Sequence, residues 1–280
     1  MYSKWNEIYS IFNPIAFEIF GIQVHWYGIA YVLALLVSLY IAKYFIRHDP
    51  QRFPISNKNI DNYFIWVEIG VILGARIGYI AIYDPNSLYY FSHPWQIFNP
   101  FDMQGNFVGI RGMSYHGALI GFLIASVLFA YKKHQKFLLY MDLVAISVPL
   151  GYVFGRIGNF LNQELYGRIV PLGDSWGQKI GILVNSELRY PSQLIEAFLE
   201  GIVVFILVII AKKFLKTQGM LIVVYGVSYG IMRFVAEFWR EPDVQMGYYF
   251  GGLSMGQILS ILMILVSLGL LFYIKSKKNV

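Results

Sequence analysis

The stretch GRIGNFLNQELYGR, residues 155–168, crowds Arg156, Asn159, Asn162 and Glu164 into the end of a long apolar run, with Gly155, Gly158 and Gly167 between and after them. A fixed guanidinium, neutral hydrogen-bonding groups and small residues that let another chain approach are what an anionic headgroup between lipid and water would need. Asparagine also ends helices, so helix termination alone is the competing reading. A second stretch, RGMSYHGAL at 111–119, carries His116 at a helix entrance between Gly112 and Gly117, with Ser114 beside it. An imidazole of ordinary pKa, about 6.5, suits proton exchange near neutral pH. A lone histidine is nonetheless more often a hydrogen-bonded core residue. Arg233 and Glu237 stand four apart, a spacing that fits an ion pair within one helix as well as a pair at a site.

Other chemistries are excluded by what the sequence lacks. It contains no cysteine, so disulfides, thiolate metal sites and a cysteine nucleophile of its own are ruled out, and any thiol chemistry must use a partner's sulfur. No His/Asp/Glu spacing resembles a metal site and no G-x-S-x-G elbow is present. Neither metal nor cofactor is expected.

The scaffold for these residues follows from composition. Of 280 residues, 57% are hydrophobic and 14% charged, outside the range of soluble domains. Seven apolar runs, 24–46, 60–83, 110–131, 138–160, 194–214, 219–240 and 252–274, come near or exceed the roughly 20 residues a helix needs to cross about 30 Å of hydrocarbon. The expected fold is all-α, a polytopic membrane protein of seven transmembrane helices in one integral membrane domain over 1–280. An interfacial arm is expected at 1–23 and an external loop or lid at 161–193. Glu7, Pro14 and Glu18 interrupt the first segment, which does not read as a cleaved signal peptide.

Charge gives the orientation. Arg47, Arg52 and Lys58, then Lys132, Lys133 and Lys136, then Lys212, Lys213 and Lys216, and last Lys275, Lys277 and Lys278 fall on one side. By the positive-inside rule that side is cytoplasmic, with the amino terminus outside and the carboxyl terminus inside. The net charge of +6 is thereby a topology signal, and no nucleic-acid partner is expected. The basic residues left for the outer side are mainly arginines: Arg76, Arg111, Arg156, Arg168, Arg189, Arg233 and Arg240, with Lys4 and Lys179. Planar guanidinium groups match phosphate or carboxylate oxygens in pairs, which points to anion binding there. On this topology Tyr27, Arg76, Ser114, His116, Arg156, Glu196, Glu200, Arg233 and Glu237 arrive at one layer of the membrane from six helices. Any one intramembrane charge fits structural bracing equally well, and convergence favours function. Gly70, Gly74 and Gly78, and Gly151 with Gly155, read as close helix packing. A transporter would spread polar groups through both leaflets, whereas the inner half holds little beyond Glu68 and Asp142. A lipid-binding scaffold is the third class.

At these residues the chain resembles the bacterial prolipoprotein diacylglyceryl transferases. GRIGNFLNQELYG at 155–167 follows the family signature in order and spacing. HWYGIAYVLA at 25–34, RYPSQLIEAFLEG at 189–201 and YGIMRFVAEFWREPD at 229–243 agree as well. There are two departures: Arg111 and Ala118 stand to either side of the MSYHG stretch where glycines are expected, and Tyr190 stands where the family often has histidine, which argues against an essential base there. The resemblance implies transfer of the diacylglyceryl group of phosphatidylglycerol to the lipobox cysteine of a prolipoprotein, in the bacterial cytoplasmic membrane, with the active site toward the outer leaflet. It implies that Arg156 binds the headgroup and that Asn159, Asn162 and Glu164 shape that site, joined by Gly167, Glu196 and Arg76. Tyr27, His116, Tyr229, Arg233 and Glu237 would line the reaction chamber. The leaving phosphate needs fixed cations, for which Arg156 and Arg233 are the candidates; His116 is the candidate base for the thiol, and a thiol acidified by nearby arginines is the alternative that would make it dispensable.

Overall fold

A chain this apolar can satisfy its backbone N–H and C=O groups in hydrocarbon only inside helices, and the computed structural model is built mainly of them. It describes residues 3–19, 21–101, 105, 109, 112–241, 248, 249 and 251–277. Arg111, Lys278 and the Asp243 that closes the last matched motif lie outside the described residues.

In chain order, β1 (Ile15–Ile19) pairs antiparallel with β2 (Ile22–His25) and leads into α1 (Trp26–His48). Next come α2 (Asn57–Ile82), the short α3 (Ser87–Ser92), α4 (Tyr115–Lys132) and α5 (Phe137–Leu161). After α5 follow α6 (Ser175–Ile180) and the antiparallel pair β3 (Ile182–Val184) and β4 (Glu187–Arg189). One long helix then runs as α7 (Ser192–Glu196), a π-helical stretch over Ala197–Val203, and α8 (Val204–Phe214). α9 (Met220–Ala236), the ribbon of β5 (Tyr248–Tyr249) and β6 (Leu253–Ser254), and α10 (Met255–Ser276) complete the described chain.

Among the described residues, six helices are long and apolar enough to cross a membrane: α1, α2, α4, α5, Ser192–Phe214 and α10. The run expected at 219–240 gives a helix of 17 residues, α9. That rises about 25 Å, short of a full crossing by length alone. The helix stops at Ala236 because the next residues turn, with Trp239 N–H donating to Ala236 O at 3.1 Å. The all-α expectation also missed the short β ribbons, of which the described residues form three, β1–β2, β3–β4 and β5–β6.

The chain divides into two compact units, Pro54–Tyr140 and the remainder, Met1–Phe53 with Met141–Val280. In the unit of 54–140, α2 and α4 meet along glycines. A Cβ at Gly74 would lie 2.3 Å from Gly117 O, and one at Gly121 2.0 Å from Gly70 O, so the backbones touch as the small-residue pattern expects. Ser114 starts α4 by accepting from Gly117 N at 3.2 Å. The rings of Tyr63, Phe129 and Tyr140 meet edge-on or tilted, with the Tyr63 hydroxyl 2.9 Å from Ser126 Oγ.

In the larger unit, α1 lies on α5 through two glycines. A Cβ at Gly151 would meet Ser38 Oγ at 2.1 Å, and one at Gly158 would meet Ala30 Cβ at 2.6 Å. Gly155, expected to pack likewise, has nothing within 4 Å of its Cβ position, because it faces off that seam. At the start of α5 the buried Asp142 carboxylate accepts from the N–H groups of Gly219, Leu221 and Ile222 at 2.8, 2.9 and 3.0 Å. It caps α9 where the helix dipole favours a negative charge.

Residues 161–193 are a folded segment with its own small core of Val170, Leu188 and Tyr190, on which Ile180, Leu183, Ile195 and Trp239 pack. The amino-terminal segment is tied to it: Trp5 Nε1 donates to Ile180 O at 2.7 Å, Asn6 Nδ2 to Gly181 O at 2.7 Å, and Leu183 N to Asn6 O at 2.7 Å.

Candidate active site

The signature stretch ends α5, and the way it ends places the polar groups. The residues in the left-handed region are Gln163 (φ 57°) and Leu165 (φ 56°), not the asparagines. Such a conformation costs a side-chain-bearing residue about 1–2 kcal/mol and needs outside support. Support comes from the amino-terminal segment, where Tyr9 O and Phe12 O each accept from Gln163 Nε2 at 3.0 Å, while Trp5, Tyr9 and Phe12 gather around Phe160. Asn159 and Asn162 are thereby released from helix termination. Asn159 is buried and donates from Nδ2 to Glu164 Oε1 at 2.8 Å. Asn162 keeps a buried Oδ1 with no hydrogen-bond partner among the described residues.

Three segments of this unit, α5, the helix Ser192–Phe214 and α9 with the turn after it, then bring three arginines against three carboxylates. Glu196 is the hub. Its Oε2 lies 2.9 Å from Arg156 Nε and 3.7 Å from Arg233 Nη1, and its Oε1 accepts from Arg240 Nη1 at 3.3 Å. Arg233 also reaches Glu200 Oε1 at 3.4 Å and Glu237 Oε2 at 2.8 Å. Glu196 and Glu200 are fully buried, so their charges depend on these cations. The side chains of Arg156 and Arg233 remain 17% and 16% exposed. The carboxylates are therefore walled in while the guanidinium groups can still be reached.

Arg156 is held firmly at Nε and only loosely at Nη1. Its Nε donates to the Tyr152 hydroxyl at 2.6 Å, its guanidinium carbon stands 4.9 Å from the centre of that ring, and Nη1 reaches Asn159 Oδ1 only at 3.4 Å. Nη2 has no acceptor among the described residues. The free edge of a planar guanidinium, fixed before any ligand arrives, is the geometry for a phosphate oxygen pair. Glu237 is held from behind by Ser254 Oγ, which donates to its Oε1 at 2.9 Å.

The remaining expected residues fall in three groups. Tyr27 lies over Gly158, its Cα 3.5 Å from the Cβ position there, and Tyr229 meets Tyr152 edge-on at 6.0 Å. Both therefore border the network. Gly167 permits a close backbone approach: a Cβ would sit 2.3 Å from Trp239 O, and its N–H donates to Tyr190 O at 2.8 Å. His116 and Arg76 belong to the unit of 54–140. His116 is exposed at the start of α4, edge-on to Tyr115, with no hydrogen-bond partner among the described residues. Arg76 is buried, donating from Nε to Ile97 O at 2.6 Å and from Nη1 to Gly112 O at 3.3 Å. These bonds make it an anchor for the segments around Ile97 and Gly112.

Tyr190 donates to Asp174, whose carboxyl is held below the usual range first by the Gly177 N–H and then by this hydroxyl. Burial first, and then Asp174, push the Tyr190 phenol up to about 12. The pair closes the 161–193 fold and offers no base.

Sequence reasoning missed the full network. Tyr152 gave no signal beyond standing one turn before Arg156 on the same face. Glu200 was seen only as a polar group and Arg240 only as an outer-side cation.

Fold and site together define a helical membrane protein with a buried, carboxylate-anchored arginine cluster. The sequence profile of the prolipoprotein diacylglyceryl transferase family matches residues 14–273. Three similar proteins carry the description phosphatidylglycerol–prolipoprotein diacylglyceryl transferase. That of Helicobacter pylori is 65% identical over 271 residues, 97% of this chain and 96% of the relative. That of Helicobacter acinonychis is 64% identical over 271 residues, 97% and 96% of the two chains. That of Helicobacter hepaticus is 59% identical over 276 residues, 98% and 94%. The chain belongs to the prolipoprotein diacylglyceryl transferase family.

Proposed function

We propose that the chain transfers the diacylglyceryl group of phosphatidylglycerol to the lipobox cysteine thiol of a prolipoprotein. The sulfur forms a bond to the glycerol carbon, the carbon–oxygen bond to phosphate breaks, and glycerol phosphate leaves with the bonding electrons. Relatives of near full-length similarity are described as phosphatidylglycerol–prolipoprotein diacylglyceryl transferases. The observation that carries the reading is the meeting of Arg156 and Arg233 on one oxygen of the buried Glu196. Charge grows on the phosphate as it departs, and cations fixed in a low-dielectric site stabilise that charge without having to reorganise.

In this reading the free edge of Arg156 takes the phosphate and Arg233 assists, while Asn159, Asn162, Glu164 and Gly167 shape the headgroup site. Glu196 holds the two arginines near one another and in register. Tyr27, Tyr229 and Glu237 line the chamber, and Arg76 contributes through the segments it anchors. His116 takes the thiol proton. The chain crosses the bacterial cytoplasmic membrane seven times, α9 with its turn being the crossing that length alone does not supply. The amino terminus is outside, the carboxyl terminus inside and the chemistry toward the outer leaflet, in a single integral domain with 161–193 external. The clusters of lysine at 132–136, 212–216 and 275–278 support that orientation.

Incubating the purified protein with phosphatidylglycerol vesicles and a lipobox peptide tests the reading. Lipidated peptide and released glycerol phosphate are expected. Bound lipid with no transfer would leave only a scaffold, and solute flux in liposomes would indicate a transporter.

A further inference from the structure

Arg156 has a carboxylate nearby that it does not touch. Glu200 is fully buried on the π-helical stretch, one turn after Glu196, yet no direct ion pair joins it to Arg156. Between them stands the Tyr152 hydroxyl, which donates to Glu200 Oε2 at 2.6 Å and accepts from Arg156 Nε at 2.6 Å. The same ring lies against the guanidinium, 4.9 Å from centroid to carbon, and is braced edge-on by Tyr229 at 6.0 Å. A hydroxyl can donate once and accept at the same time, and here both capacities are used along one line. We propose that Tyr152 is a positioning residue which keeps Glu200 off Arg156, so that the guanidinium faces one carboxylate and retains its charge and free edge for the lipid phosphate.

Without the hydroxyl, a fully buried carboxylate oxygen loses its donor. A buried charge left so is costly, and the nearest remedy is to bond the guanidinium directly. Arg156 would then be shared between Glu196 and Glu200, and a phosphate would have to compete with an internal anion. The effect therefore belongs to headgroup binding and should disappear when position 200 cannot carry a charge. A π-helical insertion sets Glu200 at this distance, in keeping with the tendency of such insertions to occur at functional sites.

The inference rests on the transfer reading, and the kinetics separate the two. Tyr152→Phe keeps the ring and removes only the hydroxyl. With phosphatidylglycerol in mixed micelles and a lipobox peptide, we expect its KM for the lipid to rise about tenfold, the scale of one charge-assisted hydrogen bond, with kcat changed much less. In Tyr152→Phe/Glu200→Gln the KM should return to within about threefold of the wild type, because an amide does not compete for the guanidinium. An unchanged KM in the single variant overturns the inference, and so does a double variant as impaired as the single one, which would make the hydroxyl merely structural. If the single variant is not recovered folded, the double variant decides: a near-wild-type KM supports the spacer role and a raised one overturns it. A wild type that transfers nothing overturns the transfer reading and this inference with it.

Discussion

The two ends of α5 each bury charge and use it differently. At the start, both oxygens of Asp142 accept from backbone N–H groups of the α9 terminus, three in all, so the carboxylate is committed to the helix end. At the other end Arg156 commits Nε, reaches Asn159 only loosely through Nη1 and leaves Nη2 open. Two carboxylate oxygens, Glu196 Oε2 and Glu237 Oε2, lie close to guanidinium nitrogens without hydrogen-bond alignment. Buried polar groups are normally satisfied, so a saturated group marks architecture and an under-satisfied cluster marks a place where a ligand completes the set.

That contrast can be broken from either side. The largest effect is expected at the open end, where Arg156→Ala and Arg233→Ala should each lower transfer at least about 100-fold in folded protein, measured as peptide lipidation. Full activity in either would remove that arginine from the chemistry. His116→Gln should cost about 100-fold at neutral pH if the imidazole is the base. The loss should shrink as pH rises through the ordinary thiol range, about 8.5, where the peptide ionises unaided; a loss unaltered from neutral to alkaline pH would make His116 structural.

At the saturated end, Asp142→Ala should lower stability by about 1–3 kcal/mol through orphaned N–H groups and a lost dipole contact, read in a thermal melt, while leaving the KM for lipid alone. The smallest effect is a local one in acid. The Asp174 carboxyl has its folded value depressed, so its contribution is complete above its unfolded value, about 3.9, and is lost as pH falls through the lower folded value. The Gly177 amide, corrected for intrinsic exchange, should lose hydrogen-exchange protection only in that window.

How far the sequence could lead depended on whether a residue's partner was near in the chain. Arg233 and Glu237 were readable as a pair because four residues make one helical turn, and the α2 and α4 glycines were readable because small residues at that spacing have one common use. The density of polar groups from 155 to 168 was readable as a candidate site. Tyr152 was not, because its meaning depends on Glu200, 48 positions away. The extent of α9 and the folding of 161–193 also escaped. Helix ends are set by tertiary contacts such as Gly167 with Tyr190 and Trp239, and those contacts are made by backbone atoms that every sequence shares. Gly155 escaped for the reverse reason, since spacing placed it with Gly151 although only the latter meets a neighbour.

The central claim is that Arg156 and Arg233 act on one departing phosphate. A double-mutant cycle of Arg156→Lys and Arg233→Lys, read as kcat/KM for transfer from phosphatidylglycerol to a lipobox peptide, measures it most directly. Each lysine keeps a charge and loses the paired donors. We expect the double variant to lose clearly less than the product of the two single losses, as groups serving the same atoms do. Losses that multiply in full would show two independent sites and contradict the shared phosphate.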